Sequence, residues 1–158
     1  MKSARRYSYE EALQYAAGIC ARSEQCEFDI RRKLASHGVF SSEADKIIDY
    51  LVDNRFLDEM RYSRAFARDK ARFNRWGKIK IRAALAAKKV SNEAIRAALE
   101  TIDEKDYISG LKTIVMQFSK SNDISDRDTC LRLARRLAAR GFESHLIFQI
   151  ISETAEQE

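Results

Sequence analysis

The apolar positions of this chain follow one spacing three times. An aliphatic residue is followed four positions later by a second and five positions after that by a third: Ile30, Leu34 and Val39; Ile81, Leu85 and Val90; Leu133, Leu137 and Phe142. Beyond the third residue, further positions recur at offsets of 5, 8, 9 and 12. They are Ala44, Ile47, Ile48 and Leu51; Ile95, Ala98, Leu99 and Ile102; and Ile147, Ile150, Ile151 and the polar Thr154. Steps of three, four and seven return to one face of an α-helix. Each copy therefore predicts two amphipathic helices joined by a tight turn. The copies begin 51 and 52 residues apart, and a near-constant period over three copies marks a tandem array.

The turn between the two helices carries Gly38 in the first copy and Gly141 in the third, where a helix C-terminus commonly takes a positive φ. Lys89 stands there in the second copy, a residue that accepts that conformation less readily. A more variable helix precedes each pair, at about Tyr9–Ala21, Asp58–Asn74 and Glu104–Phe118. The fold class expected is all-α, with three tandem three-helix repeats stacked into an elongated, curved array. The repeats span residues 1–57 (with a short basic N-terminal tail), 58–103 and 104–158. Ser8 with Glu11 and Ser125 with Asp128 read as capping boxes, and Ser41 and Ser91 as caps of third helices. The connections, DNRFLDEM and ETIDEKDY, are short and contain no flexible linker. Units of about 50 residues are marginal alone, so part of each core should be shared at the junctions. Leu57 and Tyr107 hold matching positions for that role.

Composition supports this reading. The chain of 158 residues is 45% hydrophobic, contains no proline and has five glycines, which disfavours a turn-rich sheet fold. The N-terminus has no apolar core of the signal-peptide kind, and no apolar run approaches the roughly 18 residues of a membrane span. Three irregularly spaced cysteines, Cys20, Cys26 and Cys130, fit thiols in a reducing cytoplasm.

Charge changes the picture more. The net charge is +5, yet residues 61–89 hold eleven Lys or Arg against one acid, Asp69. The rest of the chain is therefore net negative. On a helix, Arg61, Arg64, Arg68, Arg72 and Arg75 fall within a wedge of about 80°, with Tyr62, Phe66 and Phe73 about 140° away. The aromatics are thus expected in the core and the arginines in an outward stripe. Lys78, Lys80, Arg82, Lys88 and Lys89 extend the basic surface along the next helix, and Trp76 sits at the elbow RWGK. Like charges in one row repel one another, and only Asp69 is available to pair with them at i,i+4. Arginine suits bidentate contact with carboxylates or phosphates. A partner-binding face is the reading this pattern favours over an ordinary solvated helix. Trp76 is either a half-buried packing residue or an aromatic that stacks on a base or anchors in a protein pocket.

The segments YLVDNRFLDEMRYSRAFARDK (50–70) and RWGKIKIRAALAAKKV (75–90) resemble the signature of the bacterial RecX regulatory proteins. The residues that carry the resemblance are Leu57, Asp58, Arg61, Tyr62, Phe66 and Arg68, then Ile81, Leu85, Lys88 and Val90. Glu59 and Lys89 depart from the family pattern, and a proline common in the basic loop is missing. The resemblance implies a regulator that binds the recombinase RecA, in solution or along its filament on DNA. It further implies inhibition of strand exchange, ATP hydrolysis and coprotease activity, and contact with single- or double-stranded DNA in some members. A monomer with no cofactor is expected.

Catalytic patterns are lacking. No P-loop, dinucleotide-binding glycine pattern or HExxH occurs. Cys20, Cys26 and His37 lack a usual zinc spacing and a fourth ligand, and His37 and His145 lie near helix ends in different repeats. Sequence-specific operator reading is disfavoured by the lack of an amide-rich recognition helix or a dimerisation zipper. The remaining alternatives are a sequence-independent DNA-binding module and a scaffold for an acidic protein. Capping of a filament end and binding in its groove also stay open.

Overall fold

The computed structural model describes residues 5–157. Among them the chain forms nine helices and no strand: α1 (Tyr9–Arg22), α2 (Glu27–Ser36), α3 (Ser41–Asp53), α4 (Glu59–Phe73), α5 (Lys78–Ala87), α6 (Asn92–Glu100), α7 (Glu104–Ser119), α8 (Arg127–Ala139) and α9 (Ser144–Ala155). The fold is an all-α helical repeat. Every residue of the thrice-repeated spacing is buried except Thr154, which is half-buried. The periodicity therefore identifies the core-facing stripes of α2, α3, α5, α6, α8 and α9.

The tight turn is built the same way each time. Val39, Val90 and Phe142 donate their backbone N–H to the carbonyls of Leu34, Leu85 and Leu137, at 3.0, 3.2 and 3.2 Å. This is the six-to-one bond of a Schellman C-cap, which needs a left-handed residue just before the donor. Gly38, Lys89 and Gly141 occupy that place with φ of 75°, 58° and 93°. Lys89 thus holds a strained backbone where its two counterparts are glycine.

Capping follows expectation at Ser8, whose box with Glu11 is complete, and at Ser91, which accepts from the Ala94 amide. Two expectations are corrected. The cap of α8 is Asp126, which accepts from Thr129, whereas the Ser125 amide and hydroxyl are both turned onto Asp123. Ser41 does not cap α3: Phe40 takes the N-cap position, and Ser41 becomes the first helical residue with φ 48°.

The core divides unequally. Helices α1–α3 close around one cluster that includes Ile30, Leu34, Ile47, Leu51 and Leu57. Helices α4–α9 share a second, continuous cluster running from Tyr62 through Ile95 and Leu111 to Ile151. Inside it, α4 packs on α5, α6 and α7, while α9 packs on α7 and α8. Tyr107 contributes to this shared core, with its ring 5.4 Å from that of Phe142. Leu57 instead belongs to the α1–α3 cluster. Among the described residues of the first unit, only the start of α2 reaches across, through Cys26 and Phe28.

Candidate functional site

Helix α4 is the backbone of the basic face. Asp58 starts it by accepting from the Arg61 amide at 2.9 Å. The carboxylate of Glu59, one residue on, accepts from the Ser91 N–H and hydroxyl, both at 3.0 Å. These bonds fix the rotation of α4 against the α5–α6 turn. Tyr62, Ser63 and Ala67 form its buried row, and the two small residues let α4 approach α6 closely. Phe66 is half-buried. Phe73, expected in the core, is 72% exposed, with the Arg72 guanidinium 5.5 Å from its ring centroid. It is the last residue of α4, and it lies beyond the apolar cover that shields Tyr62 and Phe66.

The eleven candidate positions separate into three groups. Arg61, Lys78 and Lys88 are engaged internally. Arg61 pairs with Glu24 and donates to the carbonyls of Arg55 and Phe56. Lys78 meets Glu104 at 2.7 Å and lies 4.7 Å from the centre of the Tyr107 ring. Lys88 meets Asp29 at 2.6 Å. Burial disfavours the Lys88 ammonium, but hydrogen bonds to Asp29 and Tyr62 outweigh it and raise its pKa. Burial alone would raise the Asp29 carboxyl; hydrogen bonds from Lys88 and Cys26 hold it below the ordinary range instead. The Tyr62 hydroxyl beside this pair is pushed up to about 12, chiefly by burial.

A second group converges. Arg68, Arg72 and Arg75 line one groove of about 400 Å³ with Thr101, Asp103, Asp106, Tyr107 and Ser109. Arg75 lies past the end of α4 with φ 53°, so it leaves the helical row and lays its side chain against α7. A Cβ placed on Gly110 would come within 2.5 Å of the Arg75 Nη1. Arg64 is exposed one turn before Arg68. Among the described residues, none of these four guanidiniums has a carboxylate within ion-pair distance. Trp76 is half-buried, edge-on to Phe66, with Lys80 Nζ at 4.3 Å and Lys70 Nζ at 4.8 Å from its ring centroid. Two ammonium groups therefore lie over the indole ring.

The third group is dispersed. Arg82 lines a different groove with Arg96 and Glu143. Lys89, at the far end of α5, borders a cleft facing α2. Arg140 was not legible from the charge pattern: it comes from the net-acidic third repeat, and its Nη1 donates to the Asn74 carbonyl at the end of α4, at 3.2 Å.

Arg140 belongs to a joint that positions the whole elbow. The Gly77 amide donates to the Arg140 carbonyl at 2.7 Å, and the Ile79 amide to the Gly141 carbonyl at 3.0 Å. Between them, the Lys78 amide donates to the Tyr107 hydroxyl at 3.0 Å, and that hydroxyl donates to Glu143 at 2.7 Å. Burial and the neighbouring carboxylates push the Tyr107 pKa far up, so it remains a donor. Tyr107→Phe strips a half-buried amide of its acceptor and should lower stability by about 1–3 kcal/mol, measurable by urea unfolding with an unchanged slope.

Comparison with known proteins agrees with this architecture. A family model described as RecX, second three-helix domain, matches residues 58–99, which cover α4, the elbow, α5 and nearly all of α6. The regulatory protein RecX of Xanthomonas axonopodis pv. citri (strain 306) is 30% identical over 146 residues, 92% of this chain and 89% of that protein. The regulatory protein RecX of Prosthecochloris aestuarii is 28% identical over 143 residues, 90% of this chain and 93% of that protein. The crystal structure of RecX from Lactobacillus salivarius superposes with a TM-score of 0.80 at 18% identity, covering 95% of this chain and 97% of that one. Nearly full-length similarity to proteins named as regulators, with a fold that superposes on a RecX crystal structure, places this chain in the RecX family of regulatory proteins.

Proposed function

We propose that this protein binds the RecA recombinase, free or as a filament on DNA, in a bacterial cytoplasm. By doing so it inhibits ATP hydrolysis, strand exchange and coprotease activity, acting as a monomer without chemistry of its own or any cofactor. The observation that carries this reading is the guanidinium row Arg64, Arg68 and Arg72, with Arg75 beside it past the end of the helix. All four lack a carboxylate partner among the described residues, although Arg61 in the same row has found one. Four guanidiniums without an ion-pair partner in one band repel one another, which costs stability unless a partner supplies further counter-charge. A recombinase filament offers acidic side chains and phosphates together.

A second reading has its own support. Phe73 stands exposed at the end of this row beside Arg72, and an aromatic set among cations is what single-stranded nucleic acid stacks on. The protein would then act on DNA without a dedicated protein partner.

The two readings separate in one titration of RecA ATPase on single-stranded DNA, at low and at raised salt. The first predicts inhibition at protein concentrations too low to coat the DNA, weakening as salt screens the row. Tight DNA binding with a steep salt slope, and ATPase loss only when DNA is saturated, would favour the second.

A further inference from the structure

The two joints of the array are built from different materials. Between α4–α6 and α7–α9 the core is continuous, and backbone bonds tie the elbow to the α8–α9 turn. Between α1–α3 and α4–α6 no helix pair packs extensively. The chain crosses there in a single step, since Leu57 is buried in the α1–α3 core and Asp58 is already the N-cap of α4. A cleft of about 920 Å³ opens beside that crossing, between Gln25–Phe28 on one wall and Lys88–Val90 on the other. What spans the cleft is two ion pairs, Glu24–Arg61 and Asp29–Lys88, beside the small apolar contact of Cys26 and Phe28.

The geometry points to a latched arm: α1–α3 turns as a unit about residues 57–58 and is held against a stiff α4–α9 body by these two pairs. This goes beyond the proposed partner and does not depend on it. Three observations favour a joint that opens. Glu24 Oε2 is buried and has no hydrogen-bond partner among the described residues, so docking leaves half of that carboxylate desolvated and uncompensated. The cations of the latch remain partly exposed, which leaves both pairs within reach of salt. Arg55, at the foot of the crossing, holds a left-handed backbone with φ 58°, and its carbonyl accepts from the Arg61 guanidinium, so the same side chain secures the hinge. Opening requires no break in either hydrophobic cluster beyond the withdrawal of Cys26 and Phe28. A polyanion that took Arg61 or Lys88 would release the arm, so the latch residues couple the arm angle to anything negative that binds nearby.

Small-angle X-ray scattering of the full chain tests this, comparing wild type with Glu24→Gln/Asp29→Asn at low and at raised salt. Both substitutions keep side-chain shape, and helicity by circular dichroism confirms folding. A control, Glu104→Gln, removes an ion pair inside the α4–α9 region. Expected is a larger radius of gyration and maximum dimension for the double variant at low salt, matched by wild type only at raised salt, with the control resembling wild type throughout. Identical scattering of wild type and double variant at both salts would overturn the latch. So would an equal expansion of the control.

Discussion

Gly77→Ala should lower stability by about 3 kcal/mol or more, even though the change adds one methyl group at an ordinary backbone geometry. Gly77 has φ −76°, which alanine adopts freely, so the penalty is steric. A Cβ at that position would overlap the carbonyl carbon and oxygen of Gly141 and the amide of Phe142. None of these is a flexible side-chain end; all are backbone. Relief requires the α8–α9 turn to move away, which breaks the Gly77–Arg140 and Ile79–Gly141 bonds and strains the Lys78–Tyr107–Glu143 chain. Because α4–α9 share one core, the loss should appear in the transition of that whole body. Urea unfolding followed by circular dichroism measures it, as a fall in midpoint with little change in slope. Gly18→Ala is the control: nothing lies within 4 Å of a Cβ there, and stability should hold or rise slightly.

The second large effect is functional. Arg64→Ala/Arg68→Ala/Arg72→Ala should remove inhibition of the recombinase while leaving helicity and melting temperature near wild type. The three side chains are exposed and pair with no carboxylate among the described residues, so truncation forfeits no ion pair. Alanine has the higher helix propensity, and removing like charges from one row relieves repulsion. Arg61→Ala differs in kind, because it abandons the Glu24 carboxylate and two backbone carbonyls at the α1–α4 junction. It should cost stability and is a poor probe of binding.

Much of the fold could be read from spacing. The repeated intervals select the buried face of six helices, because a side chain's direction on a helix depends only on its position in the turn. Gly38 and Gly141 locate the turns, and their equivalence with Lys89 locates the turn that lacks glycine. What spacing leaves out is the identity of the neighbour. Gly77 looks like an elbow residue, and nothing local reveals that it lies against Gly141. Phe73 has the right angle for the core, yet α4 extends past its cover and leaves the ring in solvent. Ser125 resembled a cap, but Asp126, one residue closer to the helix, carries the stronger acceptor and took the position.

The candidate site shows the same division. The clustering of cations between residues 61 and 89 was evident as charge. Their separation into engaged and unengaged groups was not, since the acids that claim Arg61, Lys78 and Lys88 stand 37, 26 and 59 residues away. Arg140 escaped for a related reason. Net charge summed over a repeat says nothing about which corner of it faces the elbow.

The central claim is that the unpaired arginines of α4 are what the recombinase meets. It is tested most directly by titrating wild type and Arg64→Ala/Arg68→Ala/Arg72→Ala in parallel against RecA ATPase on single-stranded DNA. The account predicts inhibition by wild type and none by the variant at the same concentrations, with matching melting curves for the two proteins. Equal inhibition by both would show that the row is a solvated helix face and would contradict the account.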